Sequence, residues 1–262
     1  MYLDEHVIFR ASFRKFVERE IVPHIPQWEA ERMIPRAAWE KMGASNFLCP
    51  WLPEEYGGSG ADFLYSVVIA EELARAGAVS FMAPLHSDII APYIYRLGTE
   101  AQKRRWLPKC ASGEIVLAIA MSEPNAGSDL AALTTRAERD GDAYVVNGAK
   151  TFISNGIQAD LVVVACRTDR NAHGSRGISL LCVERGTPGF SRGRKLEKMG
   201  LHAQDTAELI FEDCRVPAGN LLGEENKGFH YLMEQIHQER LDTTFMAQPM
   251  AEAMHDMTIA NP

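Results

Sequence analysis

Long apolar runs are missing from this chain of 262 residues. No stretch approaches the ~20 consecutive apolar residues that a membrane-spanning helix requires, so the sequence predicts no membrane span. The first twenty residues are charged and amphipathic, and they contain neither a signal-peptide core nor a recognisable transit peptide. Repeats and low-complexity tracts are also missing, which argues against solenoid and fibrous folds.

Positive charge is scarce, because 27 Lys and Arg residues face 35 Asp and Glu residues, for a formal net charge of −8. Without a basic block, the chain is predicted not to bind nucleic acid. The clusters Lys103–Arg105 and Arg192–Lys198 are interpreted as solvated surface, with contact to an anionic ligand as the alternative. The five cysteines are scattered and include no C-x-x-C pair, which indicates a reducing compartment and no disulfide framework.

The order of helical and strand patterns predicts an α+β fold. Residues 1–112 show helical spacing, as in Phe9, Phe13 and Phe16, and are interpreted as an N-terminal α-helical domain. Short runs rich in Val and Ile then follow one another, with turn residues between them. They predict an antiparallel, barrel-like middle β-domain over 113–218. They argue against a Rossmann fold, because no helical pattern separates them. The cluster Gly148–Thr151 is interpreted as a hairpin turn.

Residues 219–262 are predicted to begin a C-terminal helical domain. The helical pattern runs from Asn226 to Leu241. Beyond it the periodicity is lost, and Pro249 would cost a helix interior ~3 kcal/mol. The sequence therefore predicts one helix that ends near Leu241.

Two turns of small and hydroxyl-bearing residues, Met121–Asp129 and Phe152–Gly156, each follow an apolar run and are suited to present backbone N–H groups and hydroxyls to a ligand. Four later segments accompany them: Lys195–Leu201, Asp205–Leu209, Gly223–Gly228 and Gln238–Leu241. Together these segments resemble acyl-CoA dehydrogenases of the long-chain and isovaleryl type. The resemblance extends over almost the whole chain and stops near Leu241.

The resemblance implies FAD-dependent α,β-dehydrogenation of an acyl-CoA thioester to the trans-2-enoyl-CoA, with electron-transfer flavoprotein as the electron acceptor. It also implies a cytoplasmic location in a bacterium or the mitochondrial matrix in a eukaryote. Relatives continue into a C-terminal helical bundle that carries flavin contacts and the homo-oligomer interface. Because the motifs stop near Leu241, the sequence is expected to be a truncated member, in which activity and the homo-oligomer are in doubt. A non-catalytic fold remnant that binds an acyl-CoA or a partner chain is the alternative.

By resemblance, nine residues are expected to bind the flavin: Ile119, Ala120, Met121, Ser122, Gly127, Ser128, Phe152, Ile153 and Ser154. Phe152 takes the place of a Trp that packs on the flavin face in many relatives, and Ser154 that of a Thr. The alternative for Ser122 and Ser128 is a role in capping turns. For Phe152, the alternative is the core of the β-domain.

Glu239, in Gln238–Leu241, matches the early position of the catalytic base in this family. The alternative is an ordinary surface ion pair between Glu239 and Arg240. Substrate contacts are expected from Ser128, Ser175, Arg176, His230, His237, Gln238 and Arg240, with an exposed loop as the alternative for Ser175 and Arg176. No metal site is predicted, because two histidines seven residues apart without a third ligand fit no common geometry.

Overall fold

The computed structural model describes residues 2–172 and 174–260. Residue 1 of the predicted N-terminal domain, residue 173 of the middle domain and residues 261–262 of the C-terminal segment lie outside the described residues. The predicted α+β order is confirmed: helices come first, then a sheet, then one long helix. The α-helices are α1 (Asp4–Glu20), α2 (Ile25–Glu31), α3 (Arg36–Ala44), α4 (Phe63–Arg75), α5 (Ala91–Leu97), α6 (Glu100–Ala111) and α7 (Gly228–Ala260). The strands are β1 (Leu117–Ala120), β2 (Arg136–Asp140), β3 (Ala143–Ser154), β4 (Leu161–Arg167), β5 (Ile178–Glu184), β6 (Phe190–Lys195), β7 (Thr206–Pro217) and β8 (Leu221–Leu222).

The N-terminal helices bury one apolar stripe each. Phe13 and Phe16 of α1 lie in the same buried cluster as Trp39 of α3 and Leu73 of α4, as their helical spacing predicts. Helix α4 begins where the Asp62 carboxylate accepts a hydrogen bond from the backbone N–H of Leu64, at 2.8 Å. A side-chain cap therefore fixes where α4 begins, and the apolar stripes fix which face of each helix is buried.

The sheet has the order β6-β7-β3-β2-β4-β5-β8, with β1 joined to β4 as a branch. Most neighbours are antiparallel, as predicted. The exceptions are β1, which runs parallel to β4 from Leu117↔Leu161 to Ala120↔Val164, and a single parallel pair between β2 and β4. The sheet is therefore mixed, because the chain enters it from α6 in the same direction as β4.

Strand β3 contradicts the predicted hairpin turn at Gly148–Thr151. These residues lie inside the strand, where the pairing with β7 shifts register twice. Gly148 has φ +149°, and a Cβ at this position would meet Thr135 Oγ1 at 2.5 Å. The glycine thus serves a bulge and a close approach between strands rather than a reversal of the chain.

The prediction that the last helix ends near Leu241 is wrong. Helix α7 continues to Ala260, with Pro249 inside it. The helix packs on α4: Phe245 lies 6.1 Å from Phe63 between ring centroids, and Glu252 pairs with Arg75. Pro249 is itself buried. Packing against the helical domain therefore overrides the local cost of the proline. No helix in the described part of the chain is long and apolar enough to cross a bilayer.

The turn before α5 is a π-helix, Leu85–Ile90, which packs against both α7 and β1. A π-helical turn widens the helix and moves its side chains out of α-helical register, and such turns are frequent at functional sites. This one brings the helical domain up to the end of β1, where the candidate site lies.

Candidate active site

A cleft of about 170 Å³ opens where β1, the bulged end of β3, the π-helical turn and α7 meet. It is lined by Leu85, Ile89, Ile119, Met121, Ser122, Phe152, Ile153, Ser154 and Glu239. Six of the nine residues predicted to bind the flavin are in this set, and so is the predicted base. Residues more than 100 positions apart in sequence thus meet at one place.

Strand β1 places its residues in the cleft alternately. Ile119 and the following Met121 line it, whereas Ala120 is fully buried in the sheet core beside Val162 and Val164. Successive side chains of a strand point to opposite faces, so Ala120 can offer a ligand only its backbone.

Phe152 stands in the cleft with 70 % of its surface exposed, so its interpretation as β-domain core is wrong. Its φ is +60°, a conformation that a bulky residue rarely adopts. The residue lies in the β3 bulge between Lys150 and Ile153, and bulges redirect side chains. An exposed aromatic ring held in a costly backbone conformation is typical of a binding surface.

Two half-buried serines, Ser122 and Ser154, line the same cleft as this ring. Within the described residues neither hydroxyl makes a hydrogen bond, so the interpretation of Ser122 as a side-chain cap is not supported. The backbone of Ser122 is fixed, because its carbonyl accepts from the Thr151 N–H at 3.0 Å. The hydroxyls are therefore held in place and available to a ligand.

A buried ion pair lies behind the Ser122 turn. Lys150 Nζ donates to Glu123 Oε1 at 2.9 Å and to the carbonyl of Met121 at 3.0 Å, and both charged side chains are almost fully buried. Although burial opposes ionisation, the charge of Lys150 and hydrogen bonds from Thr134 and Thr135 hold the pKa of Glu123 at about 2. The pair ties β3 to the turn that carries two cleft residues.

Glu239 enters the cleft from α7. Its Oε1 accepts a hydrogen bond from the hydroxyl of Tyr93 on α5 at 3.0 Å, and Tyr93 is only 2 % exposed. Burial raises the pKa of Glu239 above the ordinary carboxyl value, and the Tyr93 bond partly opposes the rise. No ion pair joins Glu239 to Arg240 in the described chain; Arg240 is exposed. The alternative interpretation, a surface ion pair between Glu239 and Arg240, is therefore wrong.

The other sequence-predicted residues lie outside the cleft lining. Those in exposed turns or on the exposed side of α7 are Gly127, Ser128, Ser175, Arg176, His230, His237 and Arg240. His230 pairs with Glu234 at 3.1 Å, and Gln238 donates to the backbone carbonyl of Asp88. Their roles in substrate binding stay predictions.

Three residues of the site were not found from the sequence. Leu85 and Ile89 come from the π-helical turn, and Tyr93 comes from α5. Each lies in an ordinary helical pattern, and no short-range signal separates a cleft residue from a core residue there. Only the packing of α7 onto this part of the helical domain brings them to Glu239.

Comparison with known families decides the identity of the fold. Residues 3–114 match the family model for the acyl-CoA dehydrogenase N-terminal domain, and residues 118–214 match that for the middle domain. The chain belongs to the acyl-CoA dehydrogenase family. Members of this family are FAD-dependent.

Individual relatives agree with this assignment. The chain is 47% identical over 259 residues to the mitochondrial long-chain specific acyl-CoA dehydrogenase of Mus musculus. The aligned region covers 98% of this chain and 60% of the relative. It is 41% identical over 260 residues to the mitochondrial isovaleryl-CoA dehydrogenase of Pongo abelii, covering 98% and 62%. A crystal structure of acyl-CoA dehydrogenase from Geobacillus kaustophilus superposes with a TM-score of 0.97 at 61% identity, covering 99% of this chain and 68% of that one. The chain thus spans about three fifths of the length of the curated relatives.

The cleft offers the chemistry that a flavin ring requires. A flat, polar-edged ring can stack on the exposed face of Phe152 and receive hydrogen bonds from the hydroxyls of Ser122 and Ser154. Ile119 and Met121 supply apolar surface beside them. The residues present therefore fit FAD.

Proposed function

We propose that this chain provides the flavin-facing and base-bearing part of an FAD-dependent acyl-CoA dehydrogenase, which converts an acyl-CoA thioester to the trans-2-enoyl-CoA. One observation carries the proposal: Glu239 opens into the same cleft as Ser122, Phe152 and Ser154. A base and a flat cofactor surface must lie on either side of the reacting carbons, and a single cleft satisfies this requirement.

FAD, when bound, would accept the hydride from the β-carbon. Phe152 would support its ring, and the hydroxyls of Ser122 and Ser154 would bind its polar edge, because these groups are exposed to the cleft and unengaged in the described chain. The ion pair of Lys150 and Glu123 would keep the Ser122 turn in place. The protein thus supplies position, and the cofactor supplies redox chemistry.

Glu239 is the residue that would take the α-proton. A carboxylate is a weak base in water, and burial makes it stronger by raising its pKa. The hydrogen bond from Tyr93 holds one carboxylate oxygen, Oε1, and leaves Oε2 for the substrate. As the proton moves to Glu239, the carboxylate is neutralised within the cleft.

The thioester and its coenzyme A arm are expected to contact residues around the cleft rather than within its lining. The candidates are Ser128, Ser175, Arg176, His230, His237, Gln238 and Arg240, all of which except Gln238 are exposed. Electron-transfer flavoprotein is the electron acceptor that we propose. Homo-oligomer formation follows only by analogy with the intact family.

Anaerobic mixing of the FAD-loaded protein with an acyl-CoA tests the proposal. Loss of the visible flavin absorbance should follow in the parent. In Glu239→Gln, which keeps the shape of the side chain and removes its basicity, the rate of loss should fall by orders of magnitude while FAD binding is kept. Glu252→Gln is the matched control on the same helix and should bleach like the parent. Equal rates in the parent and in Glu239→Gln would show that the base is another residue.

The alternative is a chain that binds an acyl-CoA or a partner without redox chemistry. It differs in a simple property, because the purified protein would then not be yellow and would not take up added FAD. A yellow protein whose absorbance does not respond to any acyl-CoA would also favour it. The unengaged cleft hydroxyls and the exposed Phe152 favour the flavin-binding proposal.

A further inference from the structure

Two buried carboxyl groups lie behind Glu239 and have no role in the reaction described above. Asp242 follows Glu239 by three positions on α7, so the two side chains share one face of the helix. Asp88 comes from the π-helical turn that packs against α7. Asp242 is 4 % exposed and Asp88 is 2 % exposed. Three acidic groups therefore meet where the helical domain, the cleft and α7 join.

The hydrogen-bond partners of these carboxyl groups are neutral. Asp88 Oδ1 accepts from the hydroxyl of Ser66 on α4 at 2.6 Å, and Glu239 Oε1 accepts from Tyr93 on α5. Asp242 Oδ2 is buried and has no partner. Across residues 2–172 and 174–260, no Lys, Arg or His nitrogen lies within 4.0 Å of any of the three.

Basic groups on the helices packed against these acids have partners of their own. On α4, Arg75 pairs with Glu252. Arg96 of α5 donates to Gln235 Oε1 at 3.0 Å. His86 of the π-helical turn bonds to the backbone of Cys110 and Leu117. The thiol of Cys49 is buried near Asp88, and His237 and Arg240 on α7 are exposed. Among the described residues, none of the three acids therefore forms an ion pair.

A buried carboxyl without a counter-ion keeps its proton, because the charged form loses its hydration. Burial raises the pKa of Asp88 to about 7. Burial, together with the like charges of Asp88 and Glu239, raises the pKa of Asp242 to about 8. Burial also raises the pKa of Glu239, but the hydrogen bond from Tyr93 favours its ionised form and partly opposes that rise.

We propose that Asp242 is a positioning residue that holds a proton next to Asp88, so that the inner end of the cleft carries a single negative charge, on Glu239. The role of this negative charge, that of the catalytic base, rests on the proposed function. In that function the base stands beside a carboxylic acid rather than a second carboxylate. Coupling between the two groups is reciprocal, so neutralising either one makes the other ionise more readily.

The test is a pH titration of the full chain labelled with ¹³C at the aspartate carboxyl groups, followed by infrared or NMR spectroscopy. The parent should show two protonated aspartates at mildly acidic pH, which ionise as the pH is raised through neutrality. Asp242→Asn should remove one of these signals. Glu239→Gln should move the Asp242 signal to lower pH, which a merely structural Asp242 would not do. Asp256→Asn, an exposed position on the same helix, should leave both signals in place.

Two results would overturn the proposal. One is an Asp242 carboxyl that is already ionised at mildly acidic pH, and the other is a titration that Glu239→Gln leaves unchanged. If Asp242→Asn does not fold, Asp88→Asn identifies the remaining signal, and the Glu239→Gln shift is still measured with Asp242 intact. The titration needs neither FAD nor acyl-CoA. If the protein shows the predicted aspartate titration but its flavin absorbance is not lost on mixing with an acyl-CoA, the proposed function is contradicted. The protonation of Asp242 is then still supported.

Discussion

Replacement of Lys150 by Met should destabilise the β-domain more than any exposed charge change would. The Lys150 ammonium is fully buried, and it satisfies both Glu123 Oε1 and the carbonyl of Met121. Met has a similar length and fills the same space without a charge. The change therefore leaves Glu123 as an uncompensated buried carboxylate behind the cleft.

The expected loss follows from what Glu123 keeps. Breaking a buried ion pair costs ~3–5 kcal/mol. Glu123 still accepts from the Thr134 N–H at 2.7 Å, the Thr134 hydroxyl at 2.8 Å and the Thr135 N–H at 2.9 Å. These bonds partly replace water, so we expect the low end, ~3 kcal/mol, which lowers Tm by roughly 6–12 °C in a protein of this size.

Thermal and urea denaturation of the variant measure this loss. The double variant Lys150→Met with Glu123→Gln removes both charges and should recover part of it. Arg215→Met is the control in the same sheet, because Arg215 pairs with Asp140 at 2.6 Å in an exposed position, where solvent screens the pair and its contribution to stability is small. Equal losses for Lys150→Met and Arg215→Met would refute the reasoning.

Two further outcomes are expected. Phe152→Ala should leave Tm nearly unchanged, since the ring is 70 % exposed, but should weaken FAD binding about tenfold through the lost ring contact; a fluorescence titration that gives equal affinities would count against Phe152 as a flavin support. His86 is fully buried, and burial lowers its pKa to about 4. The unfolded chain, with a His pKa of ~6.5, then binds the proton more readily, so stability should fall by up to roughly 3 kcal/mol as the pH drops from ~6.5 to ~4. The denaturation midpoint of the parent should therefore fall more steeply over this pH interval than that of a His86→Gln variant. An identical pH dependence of the two midpoints would contradict the prediction.

Patterns of apolar residues over short stretches of sequence were enough to predict individual helices and strands and their buried faces. The spacing of Phe9, Phe13 and Phe16 gave the buried face of α1, and the apolar run Leu161–Cys166 gave a strand that is fully buried. The mixed pairing was not predictable, because the direction in which β1 meets β4 depends on how the chain leaves the helical domain. Pro249 likewise indicated a helix end, and the packing of α7 on α4 prevailed over it.

The candidate site divides in the same way. Ser122, Phe152 and Glu239 carry family motifs, and the structure brings them to one cleft. Tyr93 and Asp88 carry no motif, and they reach Glu239 only because a π-helical turn and α5 pack against a helix that lies about 150 residues later in the chain. Contacts of such long range follow from tertiary structure alone.

The pairing of β3 with β7 has a consequence for the synthesis of this protein. Ala143 pairs with Pro217 and Ser154 with Thr206, so one edge of the longest cleft-bearing strand stays open until β7 has left the ribosome. Open strand edges template aggregation, and long-range pairings form slowly. During translation the nascent chain thus passes through an interval with an exposed β3 edge, and slowing of the ribosome between β3 and β7 would lengthen that interval.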